Sequence, residues 1–61
     1  MTAKELLDRA LAGVASQSIR EWATSPHNLP IWQQIAERAV ANGKTDVHAL
    51  TAYIICVAIG A

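Results

Sequence analysis

The sequence predicts an all-α fold of three short helices, at about 3–23, 30–42 and 46–60, in one domain that spans residues 1–61. Three observations favour this fold. Apolar residues recur every three to four positions, which is the period of a helix with one buried side. Residues that start and stop helices stand at the ends of the segments. The chain of 61 residues is also too short for more than one domain.

The first helix is predicted to begin with a capping box. Thr2 stands three residues before Glu5, and in this pattern each side chain bonds the backbone amide of the other residue. The apolar stripe continues through Gly13, although glycine costs up to about 1 kcal/mol in mid-helix relative to alanine. Ile19 is a large apolar residue outside this stripe, and its position predicts a contact with a partner. The stripe consists of Leu6, Leu7, Ala10, Leu11, Val14, Ala15, Ser18 and Trp22.

A connector with two prolines separates the first helix from the second. Pro26 pushes Ser25 away from helical geometry. Pro30 suits the first turn of a new helix, because its missing amide is not needed there. Asn28 or Leu29 is then expected to cap the second helix.

The second helix is predicted from a four-residue repeat of apolar pairs, and a glycine ends it. Gly43 follows Asn42 at the point where the repeat stops, and glycine readily adopts the left-handed conformation that closes a helix. The repeated pairs are Ile31/Trp32, Ile35/Ala36 and Ala39/Val40.

The third segment has no polar side. Thr45 or Asp46 is expected to cap it, and a helix that is apolar all round is buried all round. The segment is too short to cross a bilayer, which takes about 20 apolar residues. Its β-branched residues also fit a second interpretation, in which 52–59 is a short strand that pairs between subunits. We favour the helix, because the cap leads into the segment without a break.

The size of the chain predicts self-association. A domain this small buries only about 60% of the surface that its unfolded chain exposes, and it usually needs a disulfide, a metal or a partner. Cys56 is the only cysteine, so no internal disulfide can form. Because two helices can cover only one side of the third, we predict a homodimer through the C-terminal helix. The predicted contact residues are Tyr53, Ile55, Ile59, His48 and Ala52.

Charge argues against several classes of partner. Five basic residues balance five acidic ones, so the formal net charge is zero. A nucleic-acid-binding protein normally carries a basic face, and we predict no nucleic-acid partner. The N-terminal segment has no apolar stretch typical of a signal peptide, and the C-terminal segment carries no Lys or Arg to favour a membrane surface. With a single thiol, the predicted compartment is the reducing cytoplasm.

No residue pattern points to catalysis. His27 lies close to Ser25 in the sequence, but neither a positioned acid nor an oxyanion element accompanies the pair. His48 lies in the first turn of the third helix, where we favour a position without a functional role. The alternative is that it acts as a pH-sensitive group at the subunit contact. Cys56 is expected to be a small core residue. We therefore predict no enzyme activity, no metal ion and no cofactor.

The two tryptophans have two interpretations. Trp22 ends the first stripe and Trp32 begins the second, so both rings flank the same connector. They form either a clamp that closes one end of the core or an exposed aromatic anchor for a partner protein, because tryptophan and arginine are enriched in interface hot spots. The predicted partner-binding residues are Trp22, Arg20, Leu29, Ile31 and Trp32.

These observations predict a non-catalytic protein-interaction module. In this hypothesis the protein is a small dimeric adaptor, regulator or inhibitor, of the kind that phages and plasmids encode, and it masks a surface of a larger protein. One alternative is a structural subunit whose third helix packs into a larger assembly. A weaker alternative is a DNA-binding regulator, although the seven-residue connector is long for a helix-turn-helix.

Overall fold

The computed structural model describes residues 1–60, which form four helices and no strand. Ala61, the last residue of the predicted domain, lies outside the described residues. The all-α prediction is confirmed, and the strand interpretation of 52–59 is wrong because these residues are helical. The helices are α1 (Ala3–Ala12), α2 (Gln17–Thr24), α3 (Leu29–Ala41) and α4 (Val47–Gly60).

The prediction of one continuous helix at about 3–23 is wrong, since α1 and α2 are separate helices. Gly13 ends α1, and its backbone amide bonds two carbonyls of the last turn at 3.1 and 3.2 Å. Ser16 begins α2, where its hydroxyl accepts a hydrogen bond from the amide of Ile19 at 3.3 Å. A serine cap, together with the low helix propensity of glycine three positions before it, outweighs the apolar periodicity that joined the two helices.

The break changes which side chains of α2 face the core. Val14 is fully buried although it lies between the helices, and its carbonyl accepts a hydrogen bond from the guanidinium of Arg20. Ala15 and Ser18 are exposed, although the continuous stripe predicted them inside. Ile19 is half-buried against the core, so its position off the stripe is explained by the break.

Local start and stop signals are confirmed at three helix ends. Thr2 and Glu5 form the predicted capping box, in which the amide of Glu5 donates to the threonine hydroxyl at 3.1 Å. Gly43 has a φ of +70°, as the left-handed stop of α3 requires. The carboxylate of Asp46 accepts a hydrogen bond from the amide of Ala49 at 3.2 Å and caps α4.

The connector between α2 and α3 is held by one amide side chain. Ser25 is extended, as its place before Pro26 predicted. Asn28 does not cap α3 with its side chain. Instead, its amide group donates to the carbonyl of Trp22 at 2.9 Å and lies 3.2 Å from the hydroxyl of Ser25. This pair of contacts fixes the turn that positions α3 beside α2.

The core lies where α1 meets the other helices. Helix α1 packs against α3 and α4, and α2 packs against the same two helices. No polar or charged side chain is buried among residues 1–60. The core consists of Leu6, Leu7, Ala10, Val14, Ala23, Trp32, Ala36, Leu50 and Ile54.

Gly13 allows α1 to approach α4 closely. A Cβ atom built at Gly13 would lie 3.0 Å from the Thr51 hydroxyl oxygen. That hydroxyl is not free to move, because it contacts the carbonyl of Ala10 at 2.9 Å and the carbonyl of Val47 at 3.0 Å. This contact fixes which side of α4 faces the core, and therefore which side is left outside.

Candidate interaction surfaces

One half of α4 is exposed and almost entirely apolar. Leu50 and Ile54 are buried on the other half, with Thr51 and Ile55 half-buried beside them. No acid, lysine or arginine lies on the exposed half, which we call the α4 face. It consists of His48, Ala49, Ala52, Tyr53, Cys56, Val57, Ile59 and Gly60.

The α4 face contains three of the large apolar side chains that the fold leaves in water. Ile59 is 76% exposed, Tyr53 is 52% exposed and Val57 is 36% exposed. Full burial of a large apolar side chain is worth about 1.5–3 kcal/mol relative to exposure. A surface that covered this face would therefore gain several kcal/mol of hydrophobic stabilisation.

Four of the five predicted dimer residues lie on the α4 face. They are His48, Ala52, Tyr53 and Ile59. Ile55 is half-buried and packs against the core of its own chain, so only its outer part is open to a second molecule. Whether these residues contact a second chain stays a prediction.

Cys56 is a surface residue, which corrects the prediction of a core position. Its thiol is free and exposed, and it lies near the middle of the α4 face. The prediction failed because a residue on an all-apolar helix has no periodic signal that tells its buried side from its exposed side. Cys56 is therefore accessible to a second molecule that covers this face.

The aromatic rings form a chain from α2 through α3 to α4. Trp22 and Trp32 meet edge to face, with ring centroids 6.0 Å apart and an interplanar angle of 66°. Trp32 meets Tyr53 in the same manner, at 5.6 Å and 82°. Because Trp32 is only 3% exposed, it has the geometry of the clamp interpretation. Tyr53 extends this buried cluster to the α4 face.

The predicted partner-binding residues differ widely in exposure. Ile31 is exposed at the start of α3, whereas Trp32 beside it is buried. Trp22, Leu29 and Arg20 are half-buried, and the guanidinium of Arg20 is held by its own chain at the loop between α1 and α2. A direct contact with a partner therefore depends on Ile31 and on the open sides of the half-buried residues.

A groove of about 500 Å³ runs between α1 and α3. Its volume lies within the range of small-ligand and peptide-anchor sites, about 300–1,000 Å³. The apolar walls consist of Ala3, Leu7, Leu11 and Leu29, and the polar rim consists of Lys4, Asp8, Thr24, Gln33 and Glu37. Of the predicted partner-binding residues, only Leu29 lines it. No pattern in the sequence predicts the groove, because it depends on the distance between two helices that are far apart in the chain.

The charges at the groove rim are unequally paired. Lys4 and Asp8 form an ion pair at 2.9 Å along α1, and the hydrogen bond to Asp8 and its negative charge raise the pKa of Lys4. Glu37 makes no ion pair within residues 1–60. The rim therefore has a neutral α1 side and an acidic α3 side.

The described part of the chain shows neither a metal-binding cluster nor a membrane-spanning helix. No group of three or more His, Cys, Asp or Glu residues in positions 1–60 is placed to hold a metal ion. No described helix combines the length and hydropathy that a membrane crossing needs. His27, in the connector, is exposed.

No protein-family model matches the chain, and neither a curated protein nor a solved structure matches it.

Proposed function

We propose that this protein is a non-catalytic protein-interaction module that forms a homodimer through the α4 face. One observation carries the proposal: the exposed half of α4 has no acid, lysine or arginine, and it includes Ile59, the most exposed of the large apolar residues of 1–60. Large exposed apolar patches mark interaction sites in soluble proteins. The exposed thiol of Cys56 favours a reducing compartment such as the cytoplasm.

A second copy of the chain fits this face because the face has no acid, lysine or arginine that would repel its own counterpart. A helix of this length is about 21 Å long and about 10–12 Å wide, so half of it presents roughly 450 Å² of accessible surface. Two such faces would bury at most roughly 900 Å², below the limit of about 1,000 Å² for a specific stable interface. We therefore expect a weak, concentration-dependent dimer.

The basic residues of the chain support a protein partner over nucleic acid. Three of the five are engaged within the chain: Lys4 with Asp8, Arg9 with Glu5 at 3.9 Å, and Arg20 with a backbone carbonyl. Binding to a nucleic acid draws most of its non-specific affinity from clustered Lys and Arg residues. The remaining two, Arg38 and Lys44, are too few for such a face.

The larger partner is proposed to dock in the α1–α3 groove. The expected occupant is an apolar segment with one basic side chain, because leucines line the groove and Glu37 supplies a carboxylate at its rim that forms no ion pair among residues 1–60. A dimer with one groove per copy would act as an adaptor or as an inhibitor that masks a surface of the larger protein.

The dimer is tested by sedimentation equilibrium from micromolar to millimolar concentration. We expect a reversible monomer–dimer equilibrium for the wild-type chain and a tenfold or larger rise in Kd for Ile59→Lys, since about 1.4 kcal/mol corresponds to tenfold. Ile31→Lys is the matched control, because Ile31 is also an exposed isoleucine but lies on α3. A folded wild-type monomer across the whole range would refute the proposal. Aggregation of the isolated chain would favour the structural-subunit alternative.

The groove is tested separately by NMR titration with a synthetic helical peptide of leucine, alanine and lysine. We expect shifts at Leu11 and Leu29, and weaker binding by the charge-reversal variant Glu37→Lys. Glu21→Lys is the matched control, since Glu21 is an exposed acid on α2 outside the groove. Equal binding by a counterpart peptide with glutamate in place of lysine would contradict the assigned occupant.

A further inference from the structure

We infer that the two copies pair with their α4 helices antiparallel, so that Ile59 of one lies opposite Ala49 of the partner subunit. This inference rests on the proposed self-association and adds its orientation. It follows from the order of side-chain sizes along the α4 face, the position of a cavity beside it, and the helix dipoles.

Four residues of the α4 face have the spacing of a helix–helix seam. They are Ala49, Ala52, Cys56 and Ile59, separated by three, four and three residues. This alternation is the a and d pattern of a heptad, which keeps one line of side chains facing a partner helix. Ala49, Ala52, Cys56 and Ile59 are all exposed in the structure.

The sizes along the seam are uneven, and this distinguishes the two orientations. The N-terminal part has only alanines, whereas Ile59 stands at the C-terminal end. In a parallel pair each seam residue meets its own counterpart, so isoleucine meets isoleucine at one end and alanine meets alanine at the other. The helices would be forced apart at one end and leave a gap at the other.

An antiparallel pair evens out these layers. Ile59 of each copy then meets Ala49 of the partner subunit at both ends, and Cys56 meets Ala52 of the partner subunit between them. Facing a large side chain with a small one keeps the helices at a constant distance and fills the interface without voids.

The surface beside the seam favours the same orientation. A mainly apolar cavity of about 200 Å³ opens at the N-terminal end of the α4 face. Its wall includes Leu6, Ala49 and Tyr53, together with the charged residues Lys44 and Asp46. Antiparallel pairing brings the C-terminal turn of the partner's α4, the turn with the large side chains, to this end. Parallel pairing instead brings the first turns of the partner's α4, where the α4 face carries a histidine and two alanines but no large aliphatic side chain.

The helix dipoles add to the preference. The N-terminus of a helix carries a partial positive charge and the C-terminus a partial negative charge. Antiparallel α4 helices place opposite partial charges side by side at both ends of the seam. A parallel pair would place like partial charges together.

Disulfide trapping tests the orientation. Cys56→Ala provides a cysteine-free parent, into which Ala49→Cys and Ile59→Cys are introduced separately, with one of the two chains carrying a mass tag. The two positions lie ten residues apart on α4. After mild oxidation, we expect the mixture to form the mixed disulfide about tenfold faster than either variant alone forms a symmetric one, because only facing pairs meet disulfide geometry.

Sedimentation of the cysteine-free parent separates the possible failures. If the parent is dimeric and Ala49→Cys alone forms the fastest crosslink, the antiparallel orientation is overturned. If the parent is dimeric and none of the pairs forms a disulfide, the dimer uses another surface, which also overturns the inference. If the parent is a monomer at every concentration while the wild-type chain is a dimer, Cys56→Ser replaces Cys56→Ala as the cysteine-free parent and the crosslinking is repeated. If the wild-type chain is itself a monomer at every concentration, the proposed function is refuted.

Discussion

The two sides of α4 are built from the same class of side chain but have different surroundings. Ile54 is fully buried, whereas Ile59, five residues later, is 76% exposed. On the inner side, Thr51 also bonds the backbone of α1. On the outer side, no contact within residues 1–60 covers Ile59 to a comparable extent. One short helix can thus supply both the core of a monomer and a surface for a second molecule, and its hydropathy does not say which side does which.

The largest expected effect comes from breaking the inner side of α4. Ile54→Ala should lower the free energy of unfolding by about 3 kcal/mol, because it removes buried methylene groups and leaves a cavity. Urea denaturation at protein concentrations too low for dimer formation measures this loss. If the variant does not fold, Ile54→Val should still fold and cost about 1 kcal/mol.

The matched change on the outer side should leave the monomer nearly intact. Ile59→Ala is expected to change the free energy of unfolding by less than about 0.5 kcal/mol, since surface substitutions seldom do more. For the wild-type chain, the melting temperature should rise with protein concentration, because association stabilises the folded state by mass action. That concentration dependence should weaken in Ile59→Ala. If Ile54→Ala and Ile59→Ala lowered the free energy of unfolding of the monomer equally, the two sides of α4 would not differ as described.

An effect between those of Ile54→Ala and Ile59→Ala is expected where α1 approaches the inner side of α4. Gly13→Ala should destabilise the protein by about 1–2 kcal/mol, because its Cβ crowds the hydroxyl of Thr51 and overpacking typically costs this much. Alanine is otherwise the better helix former, so a gain in stability would show that the Thr51 side chain can shift away from the new Cβ at little cost. In the Thr51→Ala background the cost of Gly13→Ala should fall, and a double-mutant cycle from thermal denaturation measures the difference.

The hydroxyl of Thr51 can be tested apart from its volume. Thr51→Val keeps the shape of the side chain but removes the hydrogen bond to the carbonyl of Ala10. We expect a loss of about 1 kcal/mol, typical of one intramolecular hydrogen bond. Amide hydrogen exchange at the end of α1 should accelerate. Unchanged stability and unchanged exchange would show that α1 and α4 are held by apolar packing alone.

The smallest effect is expected on the exposed and charged side of α1. Asp8 raises the pKa of Lys4 through a hydrogen bond and its charge, so the pair favours the folded state below the ordinary lysine pKa. This contribution is lost as the pH rises through the raised pKa. In Asp8→Asn the pKa of Lys4 should fall toward its ordinary value, which NMR titration of the lysine side chain can measure, while stability at neutral pH should scarcely change. A pKa of Lys4 that stays raised in the variant would assign the shift to another group.

Local signals in the sequence predicted the helix ends well, but failed at the break between α1 and α2. Gly13 and Ser16 are a stop and a start signal, yet the apolar stripe on either side indicated one helix. The break is favoured by contacts that are distant in sequence, since it buries Val14 and brings Gly13 against Thr51. The α1–α3 groove was unpredictable for the same reason. Leu11 belongs to the predicted apolar stripe and looks like a core residue, but the spacing of the helices leaves it half-exposed in the groove.

The sequence by itself determined the helical class, the capping box at Thr2 and the left-handed stop at Gly43, because each depends on neighbours within one or two turns. It also limited the cap of α4 to Thr45 or Asp46, of which the structure shows Asp46. It also determined that α4 carries no polar side. Only the tertiary structure decided which half of α4 faces water, because a helix that is apolar all round has no periodicity to orient it. Packing against α1 and α2 makes that choice, and the half it leaves open is the surface on which the proposed function depends.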